Sequence, residues 1–171
     1  HYYYERERIV IMSTMNLTLL TDLYELTMMQ GYFHAKDANE TVIFDAFYRT
    51  NPDGNGFAIT AGLEQVVEYI ENLHFDKEDI DYLRTTGLFG EDFLEYLSTF
   101  KFTGDIYAIP EGTVIFPREP MVKVIAPIME AQLVETAILN IMNHQSLIAT
   151  KAARVCHAAK GEPIMEFGLR R

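Results

Sequence analysis

Cysteine is nearly missing from this chain: Cys156 is the single one among 171 residues. A disulfide-stapled secreted scaffold needs more, so the usage points to a reducing compartment, and a cytoplasmic location is the expectation. Long apolar runs are absent too. None approaches the roughly 20 residues that cross a bilayer, and no charged-then-apolar leader with a small-residue cleavage site opens the chain. Basic charge is scarce, with 14 Lys and Arg against 25 Asp and Glu and a net charge of −11. That balance excludes generic binding to nucleic acid or to an anionic membrane. The familiar site motifs are missing as well. His1, His34, His74, His144 and His157 are scattered, with no HxxxH, CxxC or paired Cys/His spacing, so no metal site is expected. Gly54 and Gly56 do not open a helix after a strand and are no dinucleotide fingerprint. No lysine follows a glycine loop in the Walker pattern.

What is present is apolar and aromatic. Hydrophobic residues make up 49% of the chain and aromatic ones 12%, too rich for disorder. The length suits one domain or two small ones, and a chain of this size buries about 70% of its unfolded surface. The charge is segregated. Ten acidic residues lie between Ala61 and Phe100 against Lys77 and Arg84, which reads as a solvated helical surface. From Thr150 onward Lys151, Arg154, Lys160, Arg170 and Arg171 outnumber Glu162 and Glu166. The closing Arg170-Arg171 pair follows an apolar strand-like segment; an anion site and a plain surface pair are both open there.

Residues 1–14 show no helical or strand-like face and read as an extension or a remnant of cloning. A helix opens at Thr21-Asp22, either of which can cap it, with Glu25 near its positive end. Leu23, Leu26 and Phe33 on one side and Tyr24, Met28 and Tyr32 on another predict contact with protein on more than one face. Strands are predicted over 40–50, 57–60, 104–109, 113–116, 121–126 and 164–168. Helices are predicted over 63–74, from the Asp76 cap to near Gly87, and over 91–97. Asp79, three residues after Asp76, makes a weaker relative of the capping box. The longest helix runs over 128–159, with Pro127 at its start and Gly161 past its end. Along it Gln132, Thr136, Asn140, Asn143, Thr150 and Arg154 form one polar stripe, interrupted by Leu147. Such groups suit either a hydrogen-bonded packing seam or a polar wall beside a ligand. Spacing alone leads to a soluble α+β protein whose terminal Phe-Gly-Leu-Arg-Arg could hold an anionic aromatic ligand.

Five segments, in order, resemble nicotinate phosphoribosyltransferase. They are Leu20-Thr21-Asp22-Leu23-Tyr24-Glu25-Leu26-Thr27-Met28; Phe47-Tyr48-Arg49-Thr50-Asn51-Pro52 with Gly56 to Glu64; Glu111-Gly112-Thr113 with Phe116-Pro117 and Glu119-Pro120; Ala131-Gln132-Leu133 through Glu135-Thr136 to Arg154; and Glu166-Phe167-Gly168-Leu169-Arg170-Arg171. The resemblance implies a type II phosphoribosyltransferase fold: an N-terminal α/β domain over 15–126, a connecting helix over 127–160, and over 161–171 the first strand of an incomplete α/β barrel. It implies a reaction between nicotinate and 5-phosphoribosyl 1-pyrophosphate, coupled to ATP, that gives nicotinate mononucleotide for NAD salvage. Mg2+ and ATP are implied for the full enzyme, with no cofactor site evident in this chain. By the same resemblance Tyr24 and Phe167 sandwich the pyridine ring, Arg170 and Arg171 serve anionic groups, and Asp22 orients or caps nearby. Tyr24 would act in the neighbouring subunit's site, so a homodimer with a shared active site is implied. The family's phosphorylated histidine and most metal contacts would fall beyond Arg171, so no catalytic residue is assigned here. Two alternatives stand: a quinolinate phosphoribosyltransferase-like enzyme, and a non-catalytic module that needs a partner chain.

Overall fold

The structure is a computed structural model, and it describes residues 16–35, 38–51, 54 and 56–168. The extension read over 1–14 lies outside the described residues. The element order is α1 (Leu23–His34), β1 (Thr41–Ala46), β2 (Ala58–Ile59), α2 (Leu63–Glu71), α3 (Lys77–Thr85), α4 (Glu91–Ser98), β3 (Asp105–Ala108), β4 (Val114–Ile115), β5 (Val122–Pro127), α5 (Ile128–Leu133) and α6 (Glu135–Ala159). This is the mixed helix-and-sheet architecture that the patterning predicts.

Two antiparallel sheets organise it, one of three strands in the order β1-β5-β3 and one pairing β2 with β4. Ile43 pairs with Ile125, and Asp105 pairs with Ile125 from the other side. Alternation along β5 turns Val122, Val124 and Ala126 inward. Gly104 marks the tightest approach in this sheet: a Cβ there would lie 2.3 Å from the Ala126 Cβ and 2.7 Å from the Ile125 carbonyl. Under the sheet, α1, α4 and α5 supply a core in which Phe93, fully buried, packs against Phe33, Phe89 and Tyr96.

The local signals place the helix starts well. Asp76 and Asp79 form a full capping box, each carboxylate accepting from the other residue's backbone N–H at 2.9 and 3.0 Å. Lys160 and Gly161 both take positive φ and stop α6. The acidic stretch is a solvated helical surface, with Arg84 bridging Asp81 at 2.7 Å and Glu91 at 2.9 Å.

Three expectations need correction. The helix predicted as one piece over 128–159 is two, broken at Val134. The Thr136 N–H, which an unbroken helix would give to the Gln132 carbonyl, donates instead to Glu25 Oε1 at 3.1 Å. Contact on more than one face of α1 holds only in part: Leu26 is buried and Phe33 and Tyr32, from the two predicted sides, pack against the core, whereas Leu23, Tyr24 and Met28 are exposed. Residues 162–167 join no ladder. A strand exists only with a partner to satisfy its backbone groups, and no described strand offers them one.

Candidate functional site

The first turns of α1 and α6 meet, and the sequence builds the meeting from acids and hydroxyls. Asp22 stands at the N-cap of α1 but does not cap it with its side chain. Glu25, one turn in, is 0% exposed. Its carboxylate accepts from Thr21 Oγ1, from Thr136 N at 3.1 Å and from Thr136 Oγ1 at 2.8 Å. Asp22 Oδ2 lies 3.3 Å from the same Thr136 hydroxyl. That hydroxyl has one proton to give, and the shorter contact assigns it to Glu25. Burial pushes the Glu25 carboxyl above the usual carboxylate range, while the Thr21 and Thr136 hydrogen bonds oppose the shift and the Glu135 charge adds to it.

Above this junction lies a groove of about 390 Å³, open between α1, the end of β1 and α6. Asp22, Tyr24, Phe47, Tyr48, Asn140 and Asn143 face it, with Glu135 and Thr136 at its α6 end. The Tyr24 and Phe47 rings are 46% and 42% exposed. Two half-exposed aromatic rings beside an opening suit a flat ligand ring. Partial burial raises the Tyr24 hydroxyl pKa, and the charges of Glu135, Glu25 and Asp22 raise it further, so this phenol is a neutral donor. Tyr48 donates to the Asn143 carbonyl at 3.0 Å, and burial likewise raises its pKa. No Lys or Arg is among the residues lining this groove. Its described lining offers ring faces, amides and carboxylates.

The polar stripe divides between the two readings open for it. Gln132 is buried and donates to Glu135 at 3.1 Å. Thr150 accepts from the Ile59 N–H at 2.8 Å and donates to the Ser146 carbonyl at 2.6 Å. Arg154 reaches the Phe57 carbonyl at 3.4 Å and lies over the Phe57 ring. Those members form a packing seam, to which Ser146 adds bonds to the backbone of Ala61 at 3.0 and 3.1 Å. Asn140 and Asn143 are exposed and face the groove.

Of the site residues expected from sequence, Asp22 and Tyr24 share the groove. Phe167, 67% exposed, lies past the end of α6 and does not line it. Arg170 and Arg171 lie outside the described residues. Among the described residues no group of three or more His, Cys, Asp or Glu side chains could hold a metal ion. No helix of the described residues is long and apolar enough to cross a membrane.

Sequence reasoning missed the roles of Glu25, Phe47 and Tyr48. The Phe47-Tyr48 string carries the resemblance and offered a signal; a buried acid in a helix's first turn offered none, because surface helices put acids there for the dipole alone. The motif acids Glu111 and Glu119, and Glu130 outside the motifs, also accept from backbone N–H groups. Glu111 caps α2 through the N–H groups of Gly62 and Leu63, the second at 2.8 Å. Glu119 accepts from Phe116 N at 2.8 Å, and Glu130 holds Thr103 through its amide at 2.5 Å and its hydroxyl at 2.9 Å.

Comparison with known proteins assigns this geometry a context. Residues 19–143 match the model of the nicotinate phosphoribosyltransferase (NAPRTase) N-terminal domain. A nicotinate phosphoribosyltransferase of Mycobacterium tuberculosis is 52% identical over 153 residues, covering 90% of this chain and 33% of that protein. One of Bacillus subtilis is 46% identical over 156 residues, covering 91% of this chain and 32% of that protein. The crystal structure of human nicotinic acid phosphoribosyltransferase superimposes with a TM-score of 0.79 at 35% identity, over 88% of this chain and 31% of that one. The chain thus spans about a third of the length of the curated relatives it matches.

Proposed function

Because this chain belongs to the nicotinate phosphoribosyltransferase family, through its N-terminal domain, we propose that the full-length protein joins nicotinate to 5-phosphoribosyl 1-pyrophosphate in NAD salvage. The pyridine nitrogen forms a bond to the anomeric carbon as the bond from that carbon to pyrophosphate breaks. Pyrophosphate leaves with the electron pair, and positive charge develops on the ribose. The protein's task is to hold the ring flat against that carbon.

The observation that carries the reading for this chain is the groove with the half-exposed Tyr24 ring and Asp22 at its mouth. Tyr24 supplies one ring face, Asp22 lies beside it, and Phe167 supplies the other face from a different part of the assembled site. Arg170 and Arg171 serve the carboxylate and phosphate groups. Exposed Leu23, Tyr24 and Met28 on one helix support a homodimer in which Tyr24 reaches the neighbouring subunit's site. Single-cysteine usage supports a cytoplasmic location. ATP and Mg2+ belong to the same reading of the full-length protein. The described residues do not fit a metal site by themselves.

Relatives at this identity carry one enzyme name, which disfavours both a quinolinate-type enzyme and a non-catalytic module. The test is steady-state kinetics of the full-length protein. Turnover of nicotinate, with neither nicotinamide nor quinolinate accepted in its place, is expected. Tyr24→Ala is expected to raise the KM for nicotinate roughly 2- to 12-fold, the worth of one aromatic contact. An unchanged KM would remove Tyr24 from the site.

A further inference from the structure

We propose that Glu25 is a positioning residue for Tyr24, tying the first turn of α1 to the first turn of α6 and so fixing where the Tyr24 ring stands in the groove. Where nicotinate is concerned the inference rests on the preceding reading; the tie itself does not.

Tyr24 has little packing of its own to hold it. It is half exposed, and the inward face of α1 is anchored further along, by Leu26 and Met29. The N-cap side chain of Asp22 does not secure the helix start. Glu25 does. It follows Tyr24 directly, about 100° round the helix, so holding Glu25 fixes the rotation of that turn and with it the bearing of Tyr24. The hold is threefold: Thr21 Oγ1, Thr136 N and Thr136 Oγ1 all donate to this one carboxylate. The Thr136 amide is also the point where α5 gives way to α6, so the same carboxylate starts α6. From that new start Glu135 lies beside the Tyr24 hydroxyl, while Asn140 and Asn143 project to the groove. One buried acid thus sets both walls. A surface acid favouring the dipole would need neither full burial nor a bond across 111 residues of sequence.

The chemistry required is an acceptor oxygen at a fixed reach, not a charge. Glutamine keeps the oxygen for the Thr136 N–H, and its amide can donate to hydroxyls that turn to accept. Alanine leaves a buried N–H without a partner.

The experiment uses full-length protein with Glu25→Ala, Glu25→Gln, Tyr24→Ala and the Glu25→Ala/Tyr24→Ala double variant. Backbone hydrogen exchange is read at 23–26 and 134–138, and KM and kcat for nicotinate are read beside it. Glu25→Ala is expected to speed exchange at both first turns and to raise KM by about as much as Tyr24→Ala. The double variant should be no worse than either single one, because both remove the same contact. Glu25→Gln should restore exchange and KM. Unchanged exchange at 23–26 in Glu25→Ala would overturn the proposal, as would KM effects that multiply in the double variant. Should Glu25→Ala not fold, Glu25→Asp, one methylene shorter, takes its place in the same cycle. If Tyr24→Ala by itself leaves KM unchanged, the substrate reading fails while the exchange result still decides the role of Glu25.

Discussion

Two stretches of the same helix system differ in how completely this chain satisfies them. At the junction of α1 and α6 the carboxylate that organises it is fully buried and accepts from three donors. Beyond Thr150, Val155 on α6 and Ile164, Met165 and Phe167 after it stand exposed, Met165 at 79%. Exposed apolar side chains gathered on one segment mark a surface suited to contact rather than to water. The lesson is that Tyr24 stands on a turn held by distant parts of the chain, whereas Phe167 stands on an exposed segment. The Tyr24 side has its support underneath it. Phe167 is 67% exposed.

The sharpest way to break this comparison is to remove one apolar side chain from the buried core and one from the exposed arm and follow urea unfolding of the 171-residue chain. Phe93→Ala, at a fully buried site, is expected to cost about 3–5 kcal/mol. Val155→Ala is expected to stay within about 0.5 kcal/mol of no change. A larger loss would show that the distal arm packs against something in solution. A smaller effect than that of Phe93→Ala is expected from Gly104→Ala. Its new Cβ would press on the Ala126 Cβ and the Ile125 carbonyl, forcing β3 away from β5 at a cost of about 1–3 kcal/mol. Denaturant midpoints check it, and an unchanged midpoint would mean that the strands separate without loss.

An effect smaller than that of Phe93→Ala is also expected at the capping box. Hydrogen bonds, first from the Asp79 backbone amide and then from the Asn16 side-chain amide, lower the Asp76 carboxyl below its ordinary range. A carboxyl with a depressed folded pKa stabilises the fold above its unfolded pKa of about 3.9, and that contribution disappears as pH falls through the folded value. Asp76→Ala should therefore lower Tm at neutral pH, and the gap should close on acidification below about pH 4. A gap independent of pH would mean that the carboxylate charge plays no part in the cap.

Much of the fold is legible in residue order because it depends on near neighbours. Alternation in Thr41–Ala46 and Val122–Pro127, the Asp76 cap and the Lys160-Gly161 stop all act within a few residues. The break at Val134 is not legible. Val134 is a tolerable helix residue, and the carboxylate that accepts the Thr136 N–H freed at the break lies more than a hundred residues earlier. The candidate site divides the same way. Tyr24 and Asp22 were marked by their motif, whereas Glu25, in the same motif, looked like an ordinary dipole-favouring acid.

Composition, patterning and motif order by themselves determined the class of the chain, the helices and ladders it can form, and its family, since each rests on local geometry or on residue identity. Tertiary structure alone decided which acids bind backbone and which face an opening. A carboxylate's role depends on the donors that reach it, and for Glu25, Glu111 and Glu130 those donors come from distant segments brought close by folding.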